Sequence, residues 1–217
     1  MSRPILIAAA IAMLAGCMTE PPPRESANPA EYASPRPPIA SRTPSEAANP
    51  ETRPRQAEIK PLGRGVLTAQ VAGGYMDDQE KELRGELRGT GATVSRMGDS
   101  LVLNLRADML FEGGPTLVSQ KGRDILDGIS RSAQKFDSTQ IVVNGFTDTT
   151  GTEAQNLKIS QERAEAVAKA LADAGLDPHR VAAKGFGDEI LKIPTGANVS
   201  EPKNRRIEVR ITPRIKS

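Results

Sequence analysis

Residues Asn144 to Ala174 read NGFTDTTGTEAQNLKISQERAEAVAKALADA, and their periodicity changes partway through. Up to Phe146 the stretch continues a β-branched run that starts at Gln140, the pattern of a short strand. From about Asn156 the spacing is helical. At about 100° per residue Ile159, Val167, Ala170, Leu171 and Ala174 share one face, and Lys158, Glu162, Glu165, Lys169 and Asp173 take the other. Arg163 falls four residues after Ile159 and four before Val167, so a guanidinium sits inside the apolar stripe. A cation there is costly unless an anion meets it. Long helical side chains lean toward the N-terminus of their helix, which aims Arg163 at the turn Thr147-Asp148-Thr149-Thr150-Gly151. Asp148 is the carboxylate in reach. Pattern alone leaves the pair open: an internal ion pair or a turn-closing aspartate on one side, a ligand site on the other.

Beyond this stretch, Gly175 ends the helix and Pro178 follows it. Arg180 to Phe186 reads as a strand, Gly187 to Pro202 as a long loop, and Arg205 to Thr212 as a last strand. In that strand Arg205 shares parity with Ile207, Val209 and Ile211, toward the helix layer, and at the strand's start it can curl over the sheet edge or snorkel along apolar surface. Upstream, Leu117 to Phe136 carries Ile125, Leu126, Ile129 and Ala133 at helical spacing, and Phe111 to Pro115, FEGGP, is a loop. Ala92 to Arg96 and Leu101 to Arg106 alternate around Met97-Gly98-Asp99-Ser100 as a hairpin. Tyr75 to Arg88 is expected to be an exposed helix docked by Met76, Leu83 and Leu87, with Glu80 and Arg84 paired four apart. Leu62 to Gly74 is glycine-rich and carries no assignment.

Strand, helix, strand, helix, strand implies parallel crossovers. The expected fold is a two-layer α/β sandwich: a mixed sheet with a βαβαβ core, two helices on one face, an antiparallel hairpin and a final strand. With 3% aromatics and no tryptophan, its core must be aliphatic.

The chain has 217 residues, 37% of them hydrophobic, and a net charge of +2. That suffices for one ordinary domain plus extensions, and the near-neutral balance argues against nucleic acid as a partner. The apolar run Ile5 to Leu14 is too short to span a bilayer and reads as a signal-peptide core. Leu14-Ala15-Gly16-Cys17 ends it, and Cys17 is the only cysteine, so no intramolecular disulfide is available. Met18 to Pro61 holds eleven of the seventeen prolines and almost no large aliphatics, the composition of a solvated tether. The expected division is 1–16 signal peptide, 17–61 cysteine and tether, 62–91 glycine-rich segment and charged helix, and 92–217 folded domain.

Enzymatic chemistry finds little support. The single histidine, His179, sits at a turn, and there is no His/Cys cluster for a metal, no G-x-S-x-G elbow and no phosphate-cradling glycine loop. Asp148-x-Thr150-x-Thr152 has one carboxylate where a calcium loop needs several. No two acids share a predicted pocket for glycoside hydrolysis. No cofactor is expected.

The runs TDTTG, NLKIS, ERAEAV, RVAAKGFGDE and NRRIEVRI, in this order, resemble the OmpA-like peptidoglycan-binding domain of Pal-type lipoproteins, OmpA porins and flagellar stator proteins, over about Ala92 to Ile211. The resemblance implies the same α/β fold and a non-enzymatic grip on the meso-diaminopimelate residue of the cell-wall stem peptide. Asp148 and Arg163, fifteen apart, would hold its two charged ends. It also implies ligand-side places for Thr147, Asn204 and Arg205, and for Phe111 and Glu112 as a loop offering backbone donors and an apolar wall. Asn156, seven residues before Arg163, either bonds the ligand or caps the helix. Glu201-Pro202-Lys203 departs from the glycine and arginine that the family usually has ahead of NRR. Leu-Ala-Gly-Cys resembles a lipobox, making Cys17 the lipid acceptor, and Met18 after it fits outer-membrane rather than inner-membrane sorting. The implied partners are peptidoglycan, the outer membrane through the lipid, and other envelope proteins. An envelope scaffold on the same fold and a murein hydrolase are the alternatives.

Overall fold

Eight-residue strands at the centre of a five-stranded sheet carry the architecture, in a computed structural model that describes residues 65–216. The signal-peptide core, Cys17 and the proline-rich tether lie outside the described residues. The elements are α1 (Ala69–Glu86), β1 (Thr93–Met97), β2 (Ser100–Arg106), α2 (Ala107–Leu110), α3 (Gln120–Lys135), β3 (Thr139–Phe146), α4 (Glu153–Asp173), a 3-10 turn (Pro178–Arg180), β4 (Val181–Gly185) and β5 (Arg206–Pro213).

The hairpin β1–β2 closes through Gly98, whose φ of 57° suits a tight turn. Strand order is β1-β2-β5-β3-β4. The sequence run β2-α3-β3-α4-β4 is the expected βαβαβ core, but only β3 and β4 pair directly in parallel. The last strand, β5, inserts between β2 and β3 and runs antiparallel to both. Alternation then sorts the side chains. Leu101, Leu103 and Leu105, Ile141 and Val143, and Ile207, Val209 and Ile211 are all fully buried on one face.

That face is covered by α3 through Ile125, Leu126, Ile129 and Ala133, and by α4 through Ala164, Val167 and Leu171. A third helix, α1, joins the layer: Met76 and Leu83 are fully buried in the same core, with Leu87 beside them. The glycine-rich segment is therefore not a loop in its second half, since α1 starts at Ala69 and runs through Gly73 and Gly74. Ahead of it, Leu67 bridges Ile215, so the expected edge of the folded domain at Ala92 does not coincide with an edge of the core.

Polar groups close the helix ends. Thr152 and Gln155 form a capping box at the start of α4, three residues before the expected beginning, and Ser119 Oγ accepts from Gly122 N at 2.9 Å to cap α3. The far end of α3 is tied by Arg180, a buried guanidinium that donates to Ala133 O (2.7 Å), Phe136 O (2.9 Å) and Thr139 O (2.9 Å). The sequence pattern puts Arg180 at the start of a strand; in the structure it ends the 3-10 turn before β4 and staples helix to sheet.

The close approach of α4 to the sheet corrects its helical phase. A side chain at Gly145 or Gly185 would collide with the α4 backbone at Ser160 and Gln161, so glycine at both strand ends lets the helix sit down on them. Gly187 N donates to Ser160 Oγ at 2.8 Å and Gly185 N to Gln161 Oε1 at 2.6 Å. The buried stripe is Asn156, Ser160, Ala164, Val167 and Leu171. Ala164, not Arg163, occupies its centre, and Arg163 lies one residue to the side, half-buried.

Candidate functional site

At the C-terminal end of β3 the chain leaves the sheet as Thr147-Asp148-Thr149-Thr150, the first three buried and the fourth half-buried. Thr147 N donates to Gly187 O at 2.8 Å, which fixes the turn to the end of β4. Thr149 ties the long loop after β4: its hydroxyl donates to Gly196 O at 2.7 Å and accepts from Val199 N at 3.0 Å. Asn156 neither caps α4 nor faces open space. Its amide donates to Asp148 O at 3.2 Å, bracing the aspartate against the helix.

Asp148 is 2% exposed and its carboxylate is fully engaged. Oδ1 accepts from Thr150 Oγ (2.5 Å) and Thr150 N (3.3 Å); Oδ2 accepts from Arg205 Nη1 (2.5 Å) and Glu201 N (3.2 Å). Burial alone pushes this carboxyl's pKa up. The Thr150 and Arg205 hydrogen bonds and the Arg205 charge outweigh it and hold the group below its ordinary value. Asp148 is thus an anion at neutral pH, and its partner is Arg205, fifty-seven residues away, rather than Arg163. Of the alternatives that the sequence leaves open, the internal Asp148–Arg163 ion pair is not formed.

Arg163 is left with little. Among the described residues its buried Nε has no hydrogen-bond partner, and its guanidinium lies over the Phe111 ring, 5.9 Å from the centroid. Burial lowers its pKa, the charge of Arg205 lowers it further, and Asp148 opposes both. Three charges therefore meet here, two cations and one carboxylate already bonded to one of them.

The remaining expected residues divide. Phe111 supplies the apolar wall, but the backbone donors of this loop are spent inside the fold: Phe111 N on Ala107 O (2.9 Å) and Glu112 N on Leu117 O (3.1 Å). Glu112 itself is exposed. Asn204 is fully buried, and its amide holds the long loop through Lys192 N (2.9 Å), Ile193 N (2.8 Å) and Ile193 O (2.9 Å), so it positions the site rather than facing it. Thr147 keeps a buried hydroxyl without a partner. Glu201, inside the departure from the family pattern, contributes its backbone N–H to Asp148, and Thr150 and Ser200 bond Asp148 and Arg205 directly. Thr150 was legible in principle, because Asp and Thr so spaced form local turn bonds. Ser200 carried no signal. Among the described residues there is no cluster of acids, histidines or cysteines that fits a metal ion, and no helix long and apolar enough to cross a membrane.

A family model described as OmpA family matches residues 110–205. The chain is 34% identical over 152 residues to the Escherichia coli protein named Probable lipoprotein YiaD, covering 70% of this chain and 67% of that one. It covers smaller shares of other curated relatives, 58% of an outer membrane protein A from Bordetella avium and 30% of outer membrane protein P5 from Haemophilus influenzae. Among solved structures, a MotB-like protein of Desulfovibrio vulgaris superposes with a TM-score of 0.57 at 21% identity, over 68% of this chain and 96% of the other. That likeness concerns the fold. The cell wall anchor of the T6SS from Pseudomonas aeruginosa superposes at 0.51 with 28% identity, over 62% of this chain and 96% of its own.

Proposed function

Because the chain belongs to the OmpA family, we propose that it binds peptidoglycan without covalent attachment, holding the free end of a diaminopimelate residue between Arg163 and Asp148. The observation that carries this reading is the unsatisfied guanidinium. A half-buried Arg163 with an unpaired Nε, beside a second arginine and only one carboxylate, is a cost to the fold that an incoming carboxylate removes. Diaminopimelate ends in both an ammonium and a carboxylate, and a guanidinium can meet the latter in two parallel charge-assisted bonds. The guanidinium lies over the Phe111 ring, which forms an apolar wall beside it. The relation to a cell wall anchor points the same way. In this reading the protein is not an enzyme: residues 1–16 are removed, Cys17 carries lipid in the outer membrane, and the domain faces the periplasm.

A lysine-type stem peptide has the ammonium but lacks that carboxylate, leaving Arg163 unpaired on binding. Depriving a buried charge of its partner costs about 2 to 5 kcal/mol, roughly 30- to several-thousand-fold in affinity. Sedimentation with purified sacculi of the two types should show strong preference for diaminopimelate wall. Arg163→Ala should erase most of the preference and Asp148→Ala should weaken both. Equal binding of the two walls by the wild type refutes the reading.

A further inference from the structure

We propose that Arg205 is a latch on the site: it occupies the ammonium position on Asp148 in the empty state and is handed to the ligand's carboxylate when the ligand's ammonium takes its place. The proposal rests on the wall-binding reading above and adds how the site selects a group carrying both charges on one carbon.

A carboxylate offers about four acceptor positions, and all of those on Asp148 are filled. No ammonium can bind it unless a partner leaves. Three of the four donors are not free to go. Thr150 N and Thr150 Oγ belong to the turn two residues on, and Glu201 N belongs to a loop held by Asn204 N on Glu201 O at 3.0 Å. The fourth is the end of a long side chain that is 34% exposed against 3% for Asp148. Among the described residues its side chain makes one other hydrogen bond, to the Ser200 hydroxyl at 2.9 Å. Arg205 is the donor that can be exchanged.

Where it goes decides what binds. Arg205 is close enough to Arg163 to disfavour the charge of Arg163. An ammonium alone that displaced Arg205 would leave two unpaired guanidiniums together, so the latch stays shut against it. A carboxylate alone meets Arg163 and leaves Asp148 closed. A group with both charges opens the latch and receives it: its ammonium replaces Arg205 on Asp148, and its carboxylate lies between Arg205 and Arg163. Each charge then faces one of opposite sign and both ends of the ligand are held, whereas an ammonium alone strands two guanidiniums and a carboxylate alone gains nothing from Asp148.

The test is binding of soluble diaminopimelate-type and lysine-type muropeptides to the full chain in detergent, as wild type, Arg205→Ala and Arg205→Gln, with melting temperatures on the same samples. Removing the latch frees an acceptor position on Asp148 and takes one guanidinium from the ligand carboxylate. Both variants should therefore bind the lysine-type muropeptide more tightly than wild type, and the diaminopimelate-type about tenfold or more weaker. Opposite signs for the two ligands are something a loss of stability cannot produce. Proportional loss of both overturns the latch and makes Arg205 a structural brace. Loss of the diaminopimelate type with unchanged lysine-type binding also overturns it, leaving a static contact. A wild type that prefers the diaminopimelate type keeps the wall-binding reading standing in either case, whereas a wild type that binds neither removes both. If neither variant folds, the guanidinium nitrogen resonances of the wild type decide: Arg205 and Arg163 must both shift on adding free meso-diaminopimelate, and an unmoved Arg205 signal ends the proposal.

Discussion

Asp148 owes its charge to its neighbours, and that gives it a signature in pH. Hydrogen bonds from Thr150 and Arg205 hold its folded pKa below the unfolded value of about 3.9. For a carboxyl lowered on folding, the stabilisation is complete above the unfolded pKa and is lost as pH falls through the folded one. Urea unfolding of wild type and Asp148→Asn should therefore show a stability gap that is constant from neutrality to about pH 5 and narrows below about pH 4. A gap that persists unchanged into acid would mean that the charge of Asp148 does not stabilise the fold. Sequence periodicity locates this carboxylate and the nearby cation Arg163, but it leaves open whether the two pair, and in the structure they do not. The partner of Asp148, Arg205, immediately precedes the strand that inserts at the sheet's centre, and nothing local in the sequence says which strand ends meet.

At the level of elements, legibility followed packing chemistry. The hairpin, β3 and β5 were readable because alternation of leucine, isoleucine and valine with polar residues has no other use. The phase of α4 was not, since the helix meets the sheet through Ser160 and Ala164 over Gly145 and Gly185, and small residues give no hydrophobic stripe to count. The start of α1 was missed for a related reason. Gly73 and Gly74 are poor helix formers, and their position is set by tertiary contacts of Ala72 and Met76 on either side. This helix has a measurable role: Met76 and Leu83 are fully buried and Leu87 nearly so, and burial of each such side chain is worth about 1.5 to 3 kcal/mol. A fragment of residues 92–217 would lose all three and expose the core beneath, a loss of about 5 kcal/mol or more against a whole-domain stability of about 5 to 15 kcal/mol. Circular dichroism should show residues 65–217 melting cooperatively and 92–217 melting far lower or without a transition. Equal melting of the two fragments would mean that α1 is an appendage.

For the whole molecule, the antiparallel pair β3 and β5 sets two ends apart. β3 runs from Thr139 to Phe146 and delivers Asp148; β5 starts at Arg206, beside Arg205, and runs back to Pro213 against Thr139. At about 3.3 Å per residue, the Asp148–Arg205 end lies roughly 25 Å from the Thr139–Pro213 end. The N-terminal side of the described chain is fastened to that second end. Leu67 N donates to Arg214 O and Lys216 N to Leu67 O at 2.8 and 2.9 Å, Arg214 reaches Gly65 O at 3.1 Å, and Arg214 N bonds Ser138 O at 2.9 Å. Whatever precedes residue 65 therefore joins the domain at the end away from the site, beside the C-terminal residues. The same geometry predicts which additions the protein tolerates. A folded protein fused after residue 217 should leave sacculus sedimentation within about twofold of wild type, because it lies at the fastened end, whereas the same protein inserted between Gly113 and Gly114, in the loop that follows Phe111, should reduce it about tenfold or more. Equal loss from both fusions would place the wall at the fastened end and would be incompatible with a site built on Asp148, Arg163 and Arg205.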